Sequence, residues 1–459
     1  MLVVLALVVA LQVPDDMSSS PSGVLPTRPP AERTSPVQAL VDATPTGGTV
    51  DVPPGTYVGE IVVDRALHVR GQGRPTLVGV GDDSVVRITA DGVVFEGFVI
   101  DGRGTGSLDH DASGIHVWAK HVTVRDCEIR ATLFGIYLRE ADEATVERCR
   151  IVGIRDKAPG EKGSGVHVWN TQGFHLADNV VADVRDGFYI QSSSHGEIRR
   201  NEARDLRYGL HYMFSDDNVF EDNLFENGAA GTAVMNSKHI VFKRNRFLHN
   251  RGFASVGLLL KTCDDVLAED NLIADNARGI FLEGSYHNTL RGNVIAQSDA
   301  GVVLYASADD NTFEANAFIG NLTPLLLVGK RTDARFDGNY WSDNDEPDLD
   351  GDGITDRPYR LMNVFDHLRG NLAAADLMAS SVAALALAAA ERAFPVLEPV
   401  HVEDATPLAR PPADRHVPSA TMGPPRANRA GLGASAAVAT VSLLTMWTGR
   451  RRRPTGVHA

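Results

Sequence analysis

The sequence predicts an all-β fold, a parallel β-helix built from coils of about 22 residues. Three observations support this prediction: a recurring glycine, a recurring asparagine, and apolar residues that alternate with a period of two. No stretch of the repeat has the apolar spacing of a helix. The glycine, followed each time by alternating apolar residues, recurs at Gly114, Gly135, Gly165, Gly187, Gly209, Gly231, Gly257, Gly279 and Gly301.

The asparagine recurs at the same period and is followed two residues later by an apolar residue. It stands at Asn179, Asn201, Asn223, Asn245, Asn271, Asn293, Asn316 and Asn339, with Cys127 and Cys149 in the same place in earlier repeats. Most steps are 21 to 23 residues long, but one of 30 spans Arg155–Ser164 and one of 26 lies near Arg251–Ser255. We interpret these two longer steps as insertions in loops.

Alternate side chains of a strand point to opposite faces, so the apolar residues one and three positions after each glycine are expected to fill the interior. Each coil then has about three short strands, each paired with its copy in the next coil about 4.8 Å away. An inward asparagine at a turn can bond to the backbone and to the asparagine of the next coil, which favours a structural ladder over catalysis. Cys127 and Cys149 would be neighbours in this stack, either bridged in an oxidising compartment or as two small apolar residues.

The chain has 459 residues, 43% of them apolar, which is ample for a large core. Its net charge of −15 and the lack of a recurring basic face argue against a nucleic-acid partner. Residues 1–34 are expected to be an apolar, signal-like leader and a Ser/Pro-rich lead-in. Residues 35–345 are assigned to the β-helix, with a short capping helix at Ser35–Ala43 and a first strand after Gly47.

Residues 346–360 form an Asp-rich segment that resembles a calcium loop. Asp348, Asp350, Asp352 and Asp356 fall at positions 1, 3, 5 and 9 of such a loop. Position 12 is Tyr359 rather than the bidentate Glu, so the segment is either a weak calcium site or an acidic turn that ends the solenoid.

The remaining residues predict a membrane tether. Residues 361–394 are Ala/Leu-rich and predict a docking or interfacial helix, and residues 395–429 a Pro-rich linker. Residues 430–453 combine about 19 uncharged residues with the run Arg450–Arg453, which is typical of a single transmembrane anchor with its C-terminus inside. The solenoid is therefore expected on the periplasmic or extracellular side of the cytoplasmic membrane.

Two rows on the outer face are candidates for function. Two positions after the glycine lie His116, Tyr137, His167, Tyr189 and His211, and four positions after it lie Trp118, Arg139, Trp169, Gln191, Met213 and Met235. We expect an exposed strip, which suits either a polysaccharide, through its aromatic rings, or Cu(I), through His and Met.

The spacing of the coils limits which of these residues can bind the same copper ion. His116 and His167 are two coils, roughly 10 Å, apart, which is too far for one metal ion. His211, Met213 and Met235 lie within one coil of one another and can converge, so they are the predicted copper site. The alternative is an ordinary outer-face row.

A further row, six residues before the asparagines, alternates His with Asp. It comprises His195, Asp217, His239, Asp265, His287, Asp310 and Asp333, which predicts either functional His–acid pairs or turn chemistry with alternating charge. The sequence has no clear pair of outward carboxylates with the spacing of a glycosidase, no phosphate-binding loop and no nucleophile elbow. We therefore expect a protein that is not an enzyme.

Four motifs carry a resemblance to a known family. They are Arg207-Tyr-Gly-Leu-His-Tyr-Met-Phe-Ser-Asp-Asp-Asn, Gly338-Asn-Tyr-Trp-Ser-Asp, the Asp-Leu-Asp-Gly-Asp-Gly-Ile run from Asp348, and Ala390-Glu-Arg-Ala-Phe-Pro-Val-Leu. With these motifs in order over residues 35–412, the sequence resembles the NosD family of nitrous oxide reductase maturation proteins.

This resemblance implies a periplasmic, right-handed β-helix of the carbohydrate-binding and sugar-hydrolysis (CASH) repeat type. It also implies partners: an ABC transporter of the NosF and NosY type, a copper chaperone of the NosL type, and nitrous oxide reductase, whose multicopper centre receives the copper. The predicted anchor departs from the soluble pattern expected of this family.

Two hypotheses about function follow. The first is a non-enzymatic accessory protein that docks a transporter and passes or positions copper. The second is a polysaccharide-binding or polysaccharide-cleaving β-helix that uses Trp118, Trp169, Tyr137, Tyr189 and Arg139 as a sugar groove.

Overall fold

Three long sheets of parallel strands wrap around one apolar core, giving a solenoid of the right-handed β-helix type. The structure, a computed structural model, describes residues 31–104, 111–252, 255–362, 364–372 and 402–412, and the single positions 375, 381, 386, 387 and 390. Within these residues the predicted all-β fold is confirmed.

The strands are short and follow one another at the spacing of the repeat. The N-terminal strands are β1 Thr49–Val52, β2 Thr56–Val58, β3 Ile61–Val63, β4 His68–Gly71, β5 Thr76–Val78, β6 Val86–Ile88, β7 Val94–Glu96, β8 Val99–Asp101, β9 Ser113–Val117, β10 Thr123–Arg125, β11 Glu128–Arg130, β12 Phe134–Arg139, β13 Thr145–Glu147 and β14 Arg150–Val152. The central strands are β15 Ser164–Trp169, β16 His175–Ala177, β17 Val180–Ala182, β18 Asp186–Gln191, β19 Glu197–Arg199, β20 Glu202–Arg204, β21 Tyr208–Met213, β22 Val219–Glu221, β23 Leu224–Glu226, β24 Ala230–Lys238, β25 Val241–Lys243 and β26 Arg246–Leu248. The C-terminal strands are β27 Val256–Asp264, β28 Leu267–Glu269, β29 Leu272–Ala274, β30 Arg278–Glu283, β31 Thr289–Arg291, β32 Val294–Ala296, β33 Ala300–Tyr305, β34 Thr312–Glu314, β35 Ala317–Ile319, β36 Leu325–Val328, β37 Arg335–Asp337, β38 Tyr340–Trp341, β39 Tyr359–Arg360 and β40 Glu403–Asp404.

Every third strand belongs to the same sheet. The first sheet runs β1-β4-β7 and on to β37-β40-β39, the second runs β2-β5-β8 and on to β38, and the third runs β3-β6-β9 and on to β36. Each strand pairs in parallel and in register with its copy one coil later, as Val124 does with Val146 and Ile129 with Ile151. The predicted stacking of coils is therefore confirmed.

The recurring glycine marks a place where neighbouring coils leave no room for a side chain. A Cβ atom on Gly135 would lie 2.4 Å from the carbonyl oxygen of Gly165, and one on Gly187 would lie 2.5 Å from that of Gly209. These separations are far inside van der Waals contact, so the spacing of the coils excludes any larger residue.

The predicted asparagine ladder is also confirmed. The side-chain oxygen of Asn201 accepts bonds from the backbone N–H and the side-chain amide of Asn179, at 3.1 and 2.9 Å. The pattern repeats coil after coil to Asn339, which donates both of its groups to the Asp404 carboxylate at 2.9 Å. Cys127 and Cys149 are free, buried thiols, and the Cys149 backbone N–H donates to the first amide of the ladder. The ladder thus supplies partners for polar groups that the core would otherwise leave unpaired.

Both ends of the solenoid are covered. Helix α1, Val37–Ala43, lies within the predicted capping segment and bonds to β3 through the buried side chain of Gln38. At the other end, helix α2, Val364–Asn371, packs against β36. Residues 402–412 fall in the segment predicted as a linker, yet they include β40, which pairs with both β37 and β39. The structure here differs from a free linker because the buried Asp404 carboxylate ends the asparagine ladder.

The predicted leader lies almost wholly outside the described residues, and so do most of the helical segment and all of the anchor at residues 430–453. Within the part of the chain that the structure describes, no helix has both the length and the apolar character needed to span a bilayer.

Candidate functional site

The candidate site lies on the outer face of the third sheet, in strands β9 to β24. The register places His116, Tyr137, His167, Tyr189 and His211 side by side on five successive coils. We call these five residues the ring column. The prediction that they form one row on one face is therefore confirmed.

The prediction that this row is exposed is wrong. The side chains of Tyr137, His167, Tyr189 and His211 are only 3–4% exposed, while His116 is half-buried. Consecutive ring centroids lie 4.9, 4.3, 4.4 and 4.8 Å apart, so the rings cover one another, and Phe134 packs edge-on against two of them. The physical reason is that the separation of adjacent strands matches the stacking distance of flat rings.

Burial disfavours the charged form of two histidines of the column, His116 and His167. It lowers the pKa of His116 to about 4 and that of His167 to about 3, and the nearby guanidinium groups of Arg139 and Arg185 act in the same direction. One ring nitrogen of each histidine in the column is buried without a hydrogen-bond partner: Nε2 of His116, Nδ1 of His167 and Nε2 of His211. Buried nitrogens of neutral imidazoles are suitable ligands for soft or borderline metal ions.

The second outer row begins with the two tryptophans that were predicted to bind sugar. The guanidinium carbon of Arg139 lies 4.1 Å from the ring centroid of Trp118 and 5.3 Å from that of Trp169. Arg139 itself is buried, so the three side chains form a packed cation–π cluster. Ring faces that already stack on a guanidinium group are not free to stack on a sugar.

The predicted copper ligands lie at the C-terminal end of the ring column. Met213 and Met235 are register partners on β21 and β24, and His211 lies two residues from Met213 on the same face of β21. The hydroxyl of Tyr189 lies 3.7 Å from the Sδ atom of Met213, which places this thioether beside the column. His211 and Met235 are buried whereas Met213 is half-buried, so the group meets the surface at Met213. The structure thus places all three residues at neighbouring positions on one face.

A charged cluster beside His211 was missed by the sequence analysis. The fully buried Asp186 accepts two bonds from Arg207, from Nε at 2.8 Å and from Nη2 at 2.6 Å. Its Oδ2 atom also lies 3.3 Å from Nδ1 of His211 and 3.2 Å from Nε of Arg185. Burial alone would raise the pKa of Asp186, but the bonds from His211 and Arg207 outweigh it and hold that pKa well below its usual range.

One signal in the sequence could have revealed this cluster. Asp186 stands immediately before the recurring glycine, where the adjacent coils have Ser164 and Tyr208. A carboxylate at a position that the repeat buries requires a charged partner, and Arg207 precedes the next glycine by two residues.

The acidic and histidine-containing turns of the chain are more ordinary. Oxygen atoms of Asp348, Asp350 and Asp352 lie within 4.8 Å of one another, but Asp356 is outside this group and accepts a bond from the backbone N–H of Leu349. These side chains mainly accept bonds from nearby backbone N–H groups, as in a turn, and calcium binding stays a prediction.

The His–Asp row forms a line of exposed contacts between imidazole rings and carboxylates. Nδ1 of His239 lies 3.3 Å from Asp217 and its Nε2 lies 3.7 Å from Asp265. All three residues have positive φ. Their conformation favours the interpretation as turn chemistry with alternating charge.

Comparisons with known proteins agree with the motifs. A family model described as "Periplasmic copper-binding protein (NosD)" matches residues 153–361. A "Probable ABC transporter binding protein NosD" of Pseudomonas aeruginosa is 30% identical over 398 residues, covering 83% of this chain and 92% of that protein. A protein of the same description from Stutzerimonas stutzeri is 27% identical over 385 residues, covering 79% of this chain and 87% of the relative. These relatives are named as binding proteins rather than as enzymes.

Among solved structures, two A-modules of mannuronan C-5 epimerases from Azotobacter vinelandii are similar. Their TM-scores are 0.57 and 0.54, each at 17% identity, covering 65% and 64% of this chain and 94% of each module. At this level of identity the likeness concerns the β-helical fold alone.

Proposed function

This chain belongs to the NosD family, and from that premise we propose that it is an extracytoplasmic accessory protein for the maturation of nitrous oxide reductase. In this proposal it docks an ABC transporter of the NosF and NosY type and receives copper from a chaperone of the NosL type. It then helps to deliver that copper, as cargo, to the multicopper centre of the reductase. Support comes from the family's description as periplasmic copper-binding proteins and from relatives named as ABC transporter binding proteins.

The observation that carries the proposal is that His211, Met213 and Met235 occupy neighbouring positions on one face of β21 and β24. Two thioethers and one imidazole are neutral, soft or borderline donors, a set that suits Cu(I) better than it suits a hard divalent cation. Nε2 of His211 is buried without a partner, so this nitrogen has no hydrogen bond to give up when it binds a metal. The residues present therefore fit the proposed cargo.

The burial of the three donors suggests an order for loading. Met213 is half-buried and would be the first donor that an incoming Cu(I) ion meets. The buried Met235 and His211 would then replace ligands of the chaperone one at a time, so that the ion is never free in solution. Release to the reductase would run through the same steps in reverse.

The buried ring column argues against the polysaccharide hypothesis. Of the rings that would line a sugar groove, Tyr137 and Tyr189 each stack on His167 and are only 3% exposed, and the two tryptophans pack against Arg139. The position of the protein, tethered outside the cytoplasm by residues 430–453, remains part of the proposal.

The experiment is an anaerobic titration of the full chain with Cu(I) against a chromophoric competing chelator. We expect one tightly bound Cu(I) per chain, with affinity reduced by more than about tenfold in a Met213→Leu/Met235→Leu variant. The matched control is Met362→Leu, which changes a methionine packed at the far end of the solenoid and should leave affinity unchanged.

The cellular counterpart is the copper content of nitrous oxide reductase in cells that carry only the double variant. We expect copper-poor, inactive reductase, restored by the intact gene. Fully loaded reductase in those cells, or wild-type affinity of the double variant for Cu(I), would refute the proposed site.

A further inference from the structure

We propose that Asp186 is a positioning residue that holds the proton of His211 on Nδ1, so that Nε2 presents its lone pair to Cu(I). The inference rests on the proposed copper function and assigns a role to a residue outside the three donors. Its basis is the set of contacts that surround the two nitrogens of one imidazole ring.

The contacts of Nδ1 determine which nitrogen is protonated. Two groups approach it: Oδ2 of Asp186 at 3.3 Å and Nη2 of Arg207 at 3.5 Å. The nearer of these is the carboxylate oxygen, which only accepts. The two oxygens of this carboxylate each accept one bond from Arg207, and Oδ2 also accepts one from Nε of Arg185. A proton on Nδ1 can be donated to this oxygen, whereas a bare Nδ1 would set a lone pair against the carboxylate. Nδ1 therefore donates, and in the neutral ring Nε2 is the unprotonated nitrogen.

The contacts of Nε2 are complementary. This atom is buried and has no hydrogen-bond partner, although an unpaired buried acceptor destabilises the folded state. A metal ion on Nε2, with a carboxylate on Nδ1–H, is the arrangement by which proteins commonly orient and strengthen histidine ligands. The free nitrogen and the oriented ring are thus two parts of one site.

Similar Arg–Asp pairs elsewhere in the solenoid show what is particular about Asp186. Arg200 also donates two bonds to Asp178 of the preceding coil, at 2.8 and 2.9 Å. That pair is exposed and lies at the turn between the first and second sheets. Asp186 is fully buried and shares one oxygen with an imidazole. An ion pair that served only to join two coils would need neither the burial nor the histidine.

The test measures the tautomer first and the affinity second. In the full chain labelled with ¹⁵N at histidine, the His211 signals are identified by their loss in His211→Gln. We expect shifts of the Nδ1–H tautomer in the copper-free wild type. An Nε2–H tautomer would overturn the inference, and this measurement needs no substitution at Asp186.

The variant is Asp186→Asn, with Asp178→Asn as its matched control. The single amide oxygen of the new residue would be held by the guanidinium groups of Arg207 and Arg185, which lie closer to Asp186 than His211 does. Nδ1 would then lose its acceptor, and the proton would move to Nε2. We expect the Nε2–H tautomer in this variant and Cu(I) affinity weaker by about 10- to 100-fold, with both properties unchanged in Asp178→Asn. Wild-type affinity in Asp186→Asn would overturn the inference.

The same titration separates this failure from that of the copper site itself. If His211→Gln and Met213→Leu/Met235→Leu lower the affinity for Cu(I) while Asp186→Asn does not, the three donors are correctly assigned and the positioning role of Asp186 is refuted. If none of these variants lowers the affinity, the donors were wrongly assigned and the positioning role falls with them.

Discussion

Acidification should destabilise this protein through His167, whose ring is buried in the ring column. Its ring lies 4.3 Å from that of Tyr137 and 4.4 Å from that of Tyr189, measured between centroids. Burial lowers its pKa to about 3, whereas an unfolded chain would titrate at the ordinary value of 6.5. The folded state therefore binds this proton far less readily than the unfolded state does.

The sign and size of the effect follow from that difference. Because the folded pKa is depressed, the contribution of His167 is complete above pH 6.5 and is lost as the pH falls from there towards 3. Between pH 7 and pH 5 the loss is about 2 kcal/mol, a factor of about 30 in the unfolding equilibrium. Over this interval the figure depends almost wholly on the unfolded pKa, since the folded ring stays neutral throughout.

The assay is urea unfolding of the full chain at the two pH values. His167→Phe keeps a flat ring between the two tyrosines but removes the titrating group. Between pH 7 and pH 5, the free energy of unfolding of this variant should therefore decrease by about 2 kcal/mol less than that of the wild type. His175→Phe, the same change at an exposed position on the first sheet, should follow the wild type. Equal pH dependence in His167→Phe and wild type would refute the reasoning, because it would mean that His167 titrates alike in both states.

Two further predictions concern the packing of coils. Gly209→Ala places a methyl group 2.6 Å from the carbonyl oxygen of Gly231, so we expect the midpoint of thermal unfolding to fall, whereas Gly160→Ala, where no atom lies within 4 Å, should be neutral. Asp404→Ala leaves the indole N–H of Trp341 and the last ladder amide without their acceptor, so we expect a loss of about 2–4 kcal/mol and a change in tryptophan fluorescence. A wild-type unfolding midpoint in either variant would contradict the packing described here.

The sequence was sufficient to predict the fold because every coil is subject to the same packing constraints. Each coil needs a glycine where neighbouring coils leave no room for a side chain, and an asparagine where the core contains polar backbone groups. Both residues therefore recur in the sequence with the period of the coil. Cys149 occupies the ladder position before Asn179 and was placed correctly by its spacing alone. Repetition turns weak local signals into a strong one.

The exposure of the ring column could not be predicted in the same way. Alternation tells which face of a strand a side chain occupies, but not whether something covers that face. Phe134 packs against Tyr137 and His167, and this contact occurs in a single coil, so it leaves no repeating signal in the sequence. Asp186 was missed for a similar reason, since a charge that occurs once in a repeat has no period to reveal it.

The proposed copper site lies where the ring column ends, and the geometry of the column changes at that end. Tyr137, His167 and Tyr189 stack with their planes 8 and 23° apart, but the plane of His211 is turned by 86° from that of Tyr189. The next coil has Ala233 at this position, so no ring continues the stack beyond His211. Freed from stacking on that side, the imidazole is oriented by Asp186, and the thioethers of Met213 and Met235 lie on the adjacent row. The residues of the proposed site thus differ from the rest of the column because the repetition is interrupted at that point.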